Sequence, residues 1–159
     1  MIDFDNLRKT VVTGLKEYLS IPVIRSSQTS APPDYPYCSY TITNISDRNN
    51  GTWGEYDDGI SRKPMVQTWS FTIQSDDNNE ALNLTLKARD YFDLTGRDAL
   101  AEQGFIVQTV GGVNNRDNLI TIEYEYRHGF DVNFYMLNEL KRDQENIDDI
   151  ELIYLNNGG

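Results

Sequence analysis

The stretch ITIEYEYRHGFDVNF, from Ile120 to Phe134, has the strongest pattern in the chain. Large apolar side chains alternate with polar ones along it, and His128 is in register with the apolar set. A period of two is typical of a β-strand with one buried face. At about 3.3 Å per residue the stretch is longer than a small sheet requires. It predicts one long strand that can project beyond its own domain, or two strands joined by a bend at Gly129.

Two other segments have the spacing of amphipathic helices. The first runs from Asp3 to Leu19 and has acidic residues at its start, where capping and the helix dipole favour them. The second begins at a predicted capping box, in which Asp77 and Glu80 each satisfy a free amide of the first turn, and it runs to about Asp93. The predicted inward stripes are Phe4, Leu7, Val11, Leu15 and Leu19 in the first helix, and Ala81, Leu84, Ala88, Tyr91 and Phe92 in the second.

The remaining elements are short strands, one helical turn and one long loop. A further turn is predicted from Asp98 as its cap to Gln103, with Gly104 as its end. The polar stretch Ser46–Lys63 is predicted to be a long hairpin loop, a kind of segment that is usually functional or mobile. The additional predicted strands are Tyr37–Ile45, Gln67–Gln74, Phe105–Val110 and, near the C-terminus, Ile150–Leu155, with a short extended piece at Ile21–Ile24.

The order of these elements is helix, strand pair, helix, strand pair, which is not the alternation of parallel βαβ units. The predicted fold class is therefore α+β: an antiparallel or mixed β-sheet with two helices packed on one face, a long hairpin loop and an extended C-terminal segment. Residues 1–138 form the predicted domain. Residues 139–159 form a predicted acidic C-terminal extension.

Composition and charge exclude several classes of function. The 159 residues include 25 acidic and 14 basic side chains, and the net charge of -11 argues against a broad grip on nucleic acid. No apolar run approaches the roughly 20 residues that a membrane span needs. A single cysteine, Cys38, and a single histidine, His128, leave no cysteine-built zinc site and no histidine cage. We therefore expect no metal and no cofactor.

Two sets of residues could carry chemistry, and both have a simpler interpretation. Glu123 and Glu125 share a strand face about 7 Å apart, which suits a pair of catalytic carboxylates. Arg127 follows on the same face, so a ladder of surface charges is the favoured interpretation. His128 and Cys38 could act as base and nucleophile, but both share a face with apolar side chains, so His128 is expected to be a core or interface residue and Cys38 a small buried one. We therefore expect no enzymatic activity.

Three segments resemble the phage neck and tail terminator family: APPDYPYCSY at 31–40, WSFTIQSDD at 69–77, and NRDNLI at 115–120 continued by GFDV at 129–132. The resemblance runs from about Phe4 to about Phe134, and in fold the family also resembles the head–tail joining proteins of long-tailed phages. It implies an α+β domain, a non-enzymatic role and a ring of six copies at the neck of the virion, assembled in the host cytoplasm. Such a ring caps the tail tube, docks under head-completion or connector proteins, and lets genome DNA pass through its lumen without specific binding.

Interfaces favour aromatic residues, and the predicted loop contains Trp53 and Tyr56 as candidate anchors. Acidic residues are predicted to border the channel of the ring: the two strand carboxylates, Asp57 and Asp58 in the loop, or Asp148 and Asp149 in the tail, with the loop and strand carboxylates favoured. The full set of predicted interface residues is Trp53, Tyr56, Asp57, Asp58, Arg116, Asp117, Glu123, Glu125 and Arg127.

Two other functions stay open at the level of sequence. The first is an acidic inhibitor or DNA mimic, which the net charge of -11 suggests. The second is an enzyme of unknown type, which would need a pocket that joins His128 to a carboxylate.

Overall fold

The computed structural model describes residues 2–47, 53–54, 59–117 and 125–141. These residues form three α-helices and a six-stranded mixed sheet, which confirms the predicted α+β class. In chain order the elements are α1 (Phe4–Leu19), β1 (Val23–Arg25), β2 (Tyr37–Asp47), β3 (Ile60–Ser75), α2 (Asn78–Asp90), a π-helical turn (Tyr91–Thr95), α3 (Arg97–Glu102), β4 (Ile106–Val110), β5 (Asn114–Asn115) and β6 (Tyr126–Lys141).

The sheet has the strand order β1-β2-β3-β6-β4, and β5 also pairs with β6. β1 and β2 run parallel, and every other pair is antiparallel. β6 continues through Gly129 and pairs with β3 along its whole length of 16 residues, so the predicted alternative of a bend at that glycine is wrong. Residues 120–124 of the predicted strand, and the predicted strand near the C-terminus, lie outside the described residues.

α1 forms where its capping residue and apolar stripe predict it. The Asp3 carboxylate accepts hydrogen bonds from the amides of Asp5 and Asn6, at 3.0 and 3.2 Å. The helix ends at Ser20, whose φ of 57° lies in the left-handed region. Phe4 departs from the predicted stripe because its side chain is 44% exposed, whereas the other four members are buried.

The second helix keeps the predicted cap but only half of the predicted capping box. The Asp77 carboxylate accepts from the Glu80 amide at 3.0 Å. The Asp77 amide donates to Ser75 Oγ at 3.1 Å, and the Ser75 hydroxyl donates to the Glu80 carboxylate at 3.1 Å. In a capping box the Glu80 carboxylate would accept directly from the Asp77 amide, whereas here Ser75 lies between the two groups.

The short helix α3 begins one residue earlier than its predicted cap. Gly96 is the N-cap and makes no side-chain capping bond, so the assignment of Asp98 as the cap is wrong; Asp98 lies in the first turn, where its charge still suits the helix dipole. Gly104 ends the segment with a φ of +89°, as predicted.

The first half of β3 lies where the sequence predicts a loop. The predicted loop Ser46–Lys63 is too long at both ends, because β2 reaches Asp47 and β3 begins at Ile60. Every residue of β3 before Gln67 is half-buried, so this part shows no alternation that a sequence pattern could reveal. Pro64 fits into the strand because Arg62 exchanges both backbone hydrogen bonds with Gly54 on the β2 side. The nitrogen of Pro64, two residues after Arg62, faces the same side, away from β6. The missing N–H of the proline therefore removes no hydrogen bond between β3 and β6.

Both predicted helices pack on one face of the sheet. That face contributes a cluster of aromatic rings, and Phe92 of the π-helical turn joins it, with its ring centroid 4.8 Å from that of Phe71 and 5.7 Å from that of Phe134. Tyr91 reaches the α1 side between two glycines: a Cβ on Gly14 would lie 2.2 Å from its hydroxyl, and one on Gly96 would lie 2.4 Å from its ring. Among the described residues, no helix is long and apolar enough to cross a membrane.

Candidate interaction surfaces

The face of the sheet opposite the helices is polar. Ser70, Thr72, Asp131 and Asn133 alternate there with the buried residues of β3 and β6. Thr68 Oγ1 donates to Asn133 Oδ1 at 2.7 Å across the two strands. A face of hydroxyls, amides and charges is suited to contacts with a polar partner rather than to a second core.

Arg116 lies across this polar face and binds two strands. Its Nη1 donates to Ser70 Oγ at 2.7 Å and to Thr72 Oγ1 at 3.0 Å, and its Nη2 donates to Asp131 Oδ1 at 3.2 Å. Its Nε donates to Asn114 Oδ1 at 2.7 Å. The predicted interface residue Arg116 is therefore held by the chain itself, and it presents a fixed positive charge on the sheet surface.

Arg127 and Glu125 form an ion pair beside the same surface. Arg127 Nη2 lies 3.0 Å from Glu125 Oε2, and the Glu125 side chain is only 9% exposed. The Asp117 carboxylate accepts a hydrogen bond from the Arg127 amide, so the structure brings three predicted interface residues together. Arg127 Nε is buried and has no hydrogen-bond partner in the described part of the chain, so this guanidinium keeps unused donor capacity.

The phenol of Tyr37 adjoins this ion pair and stacks on Tyr35, with ring centroids 5.8 Å apart. Burial raises the pKa of Tyr37, and the negative charge of Glu125 raises it further, whereas Arg127 lowers it. The hydrogen bond that Arg127 donates to the Glu125 carboxylate raises the pKa of Arg127, which keeps that side chain charged at any working pH.

A cavity of about 500 Å³ opens at this end of the polar face. β1 and the loop that follows it form one wall, while β2, β3 and β6 form the other. Three of the chain's 14 basic residues line it, namely Arg25, Arg116 and Arg127, and no carboxylate is among the described residues of its lining. The other polar lining groups are the side chains of Ser26, Gln28, Ser30, Tyr37, Ser39, Thr72 and Gln74.

The opposite end of the sheet extends beyond the helices. We call the paired segments Ile60–Val66 and Tyr135–Lys141 the distal arm. Strands of 16 residues span about 50 Å, whereas the 16 residues of α1 span about 24 Å. Leu137 and Leu140 in this arm are 44% and 42% exposed, and a cavity of about 390 Å³ lies at its root.

Of the remaining predicted interface residues, the structure describes Trp53, which lies beside this arm. Lys63 Nζ lies 5.6 Å from the centroid of the Trp53 ring, a cation–π distance that holds the indole against the first residues of β3. Tyr56, Asp57, Asp58 and Glu123 lie outside the described residues.

The two side chains considered for nucleophilic chemistry are buried, as predicted. His128 is 7% exposed, and its Nε2 lies 2.8 Å from Asn78 Oδ1. Burial raises the pKa of the Cys38 thiol to about 12, so its reactive thiolate is scarce at neutral pH. No group of three or more potential metal ligands occurs among the described residues.

A family model described as phage neck terminator protein matches residues 9–158, nearly the whole chain. The chain belongs to the phage neck terminator family. This confirms the resemblance seen in the sequence and makes the chain a structural protein of the virion neck, from a family that is typically non-enzymatic. The match extends past Lys141, whereas the division at residue 138 stays a prediction. No curated protein matches the chain.

Two features of these surfaces had no signal in the sequence. Arg25 is the last residue of a strand of only three residues, and nothing local indicates that it shares a cavity with two arginines from distant segments. The exposed leucines of the distal arm lie beyond the alternating stretch, where apolar residues no longer recur with a period of two.

Proposed function

We propose that this phage neck terminator protein forms a ring of six copies that ends the tail tube and joins it to the head-completion or connector proteins. The distal arm is the observation that carries this proposal. A closed ring needs heterologous contacts, in which one surface of a copy meets a different surface of the next. A sheet that extends beyond its own helices gives each copy a projecting element for such a contact.

The surface of the arm fits that role. Leu137 and Leu140 are half-exposed at the projecting end, and Ile106 and Ile45 are 48% and 44% exposed nearby in the sheet. Aliphatic side chains that a single copy leaves in water are removed from it when a neighbour packs against them, at about 25 cal/mol per Å² buried. Arg62 and Glu139 form an ion pair at 2.9 Å within the arm and supply a polar rim.

Native mass spectrometry, together with class averages of intact particles, tests the ring. We expect six copies at the neck. Replacing Leu137 and Leu140 together by Asp should prevent assembly while leaving the unfolding midpoint unchanged. Leu94→Asp is the matched control, because Leu94 is 79% exposed on the π-helical turn, outside the arm.

A symmetry other than sixfold in intact particles, or normal assembly of the double variant, would contradict the proposal. The same mass measurement distinguishes this function from the alternative one, because an acidic inhibitor or DNA mimic is expected to be a small closed particle and not a ring.

Genome DNA, in this proposal, passes the lumen along an acidic wall that does not hold it. Duplex DNA carries about one charge per 1.7 Å, and salt limits repulsion by the wall to about 8 Å. Glu125 is a weak candidate for this wall, because its carboxylate is nearly buried and paired with Arg127. Asp57 and Asp58 remain candidates, and replacing both by Lys should slow DNA ejection; an unchanged ejection rate would exclude them.

A further inference from the structure

We propose that the cavity lined by Arg25, Arg116 and Arg127, the arginine cavity, receives the acidic residues 143–151 of a neighbouring copy of this chain. The proposal rests on the proposed ring, because it needs a second copy at a fixed position. It names the surface that each copy offers to the next, which the fold and the family match leave open.

Charge complementarity is the first argument. The chain carries -11 overall, yet the described lining of the arginine cavity has three guanidinium groups and no carboxylate. Arg116 and Arg127 are paired with Asp131 and Glu125 outside the lining, so Arg25 is the member whose charge no described carboxylate compensates. Residues 143–151, DQENIDDIE, carry five carboxylates and no basic side chain. Guanidinium groups bind carboxylates through paired, charge-assisted hydrogen bonds, so the arginine cavity and this acidic segment are chemically matched.

The bonding state of the three arginines is the second argument. Arg25 is exposed and has no carboxylate partner among the described residues. Arg127 has an unused buried donor at Nε in addition to its pair with Glu125. Arg116 is fixed by four side chains, so its charge is already in place before a ligand arrives.

Reach is the third argument, and it requires a second copy. Arg25 is level with Phe130 across β2 and β3, and Phe130 lies 11 positions, or about 36 Å, along β6 from Lys141. Asp143 and Glu145 are at most four positions beyond Lys141 and can extend at most about 14 Å from it. All five carboxylates therefore fit only into the arginine cavity of a second copy, and the contact runs from one end of a copy to the opposite end of the next. Such a head-to-tail contact is heterologous, the type of contact that makes a ring when the rotation between successive copies closes.

The first experiment measures docking without requiring a ring. A labelled synthetic peptide of residues 142–159 is titrated into full-length protein whose own five carboxylates in 143–151 are replaced by the corresponding amides, so that no endogenous segment competes. We expect saturable binding that Arg25→Glu weakens at least tenfold. Lys9→Glu, the same charge change at an exposed position on α1 outside the cavity, should leave the affinity within twofold.

The same peptide with its five carboxylates replaced by amides should not bind. Absence of binding by the native peptide, or equal losses with Arg25→Glu and Lys9→Glu, would overturn the docking proposal whether or not the protein forms rings.

The second experiment separates docking from the ring itself. Native mass spectrometry of the five-amide protein should show loss of the oligomer that the unchanged chain forms. If six-copy rings persist in that variant, the ring stands and this contact is overturned. If the peptide binds as expected but the unchanged chain shows no sixfold ring in intact particles, the docking stands and the proposed ring fails.

Discussion

The guanidinium of Arg116 lies directly over Gly129, where an added Cβ would come within 2.7 Å of Cζ and Nη1. The same Cβ would lie 2.4 Å from the carbonyl oxygen of Phe71 on the adjacent strand. Gly129 therefore gives Arg116 its place on the polar face, because any side chain there would displace the arginine or separate β3 from β6. This explains a glycine in the middle of a long, continuous strand.

Gly129→Ala should destabilise the protein by about 2–3 kcal/mol, since the clash is with backbone as well as with the guanidinium. Urea denaturation measures it. Gly112→Ala is the control, because a Cβ there meets nothing within 4 Å, and it should change the free energy of unfolding by less than about 0.5 kcal/mol. Similar losses in both variants would contradict this account of Gly129.

The two glycines around Tyr91 should respond differently when its hydroxyl is removed. A Cβ on Gly14 meets chiefly the hydroxyl oxygen, at 2.2 Å, whereas a Cβ on Gly96 meets three ring carbons. In a Tyr91→Phe background, Gly14→Ala should lose most of its cost, and the alanine's helix propensity, worth about 0.5–1 kcal/mol, then favours it. Gly96→Ala should stay costly in both backgrounds. Double-mutant cycles in urea test this, and equal coupling for both glycines would refute it.

Stability should fall as the pH rises above about 9. Cys38 has an ordinary pKa of 9.0 and a folded pKa of about 12, because burial disfavours the thiolate. Its stabilising effect is complete below pH 9, where both states hold the proton. Between pH 9 and 12 only the unfolded state releases it, so the free energy of unfolding falls by up to about 1.4 kcal/mol per pH unit. The raised pKa values of Tyr37 and Tyr91 act in the same direction.

Cys38→Ala isolates the thiol's share of that effect. The variant should be less stable at pH 7, because it leaves a small cavity, but its stability should decline less steeply above pH 9. Urea titrations from pH 8 to 11 measure both slopes. Parallel declines in the two proteins would show that the thiol does not contribute.

Glu125→Gln should lower the pKa of Tyr37, because the carboxylate's charge is one of the causes that raise it. Burial remains the largest cause, so the pKa should stay above its ordinary value of 10.0. Ultraviolet titration of phenolate absorbance, with Tyr37→Phe to assign the signal, measures the shift. Replacing Asp131 by Asn is the control, and an equal shift in that variant would contradict the assignment to Glu125.

The sequence predicted the elements whose burial is one-sided. α1, the second half of β3 and β6 from His128 onward all alternate between core and solvent, and periodicity detects that alternation. Periodicity did not predict the strand at Ile60–Val66, because both faces of this segment are half-exposed and Pro64 argues against a central strand. The helix caps differ from the prediction at two residues. Ser75, and not Glu80, accepts the hydrogen bond from the Asp77 amide, and Gly96, and not Asp98, is the N-cap of α3.

The candidate surfaces were predicted in part. Arg116, Asp117, Glu125 and Arg127 were singled out in the sequence, and the structure brings them to one end of the polar face. Arg25 lines the same cavity as Arg116 and Arg127 because β1 pairs in parallel with β2. No local sequence pattern predicts that pairing.

The sequence of the distal arm can change in evolution without affecting how the domain folds. Its register is inherited from the buried pairs between Gln67–Ser75 and residues 126–134, so the arm does not need an apolar face of its own to stay aligned. Substitutions in its Ile60–Val66 half cost the monomer little, because none of those residues is fully buried, and in the facing half Met136 belongs to the core. Substitutions at the exposed positions of the arm can therefore accumulate one at a time and follow changes in a neighbouring protein, while the aromatic core stays unchanged.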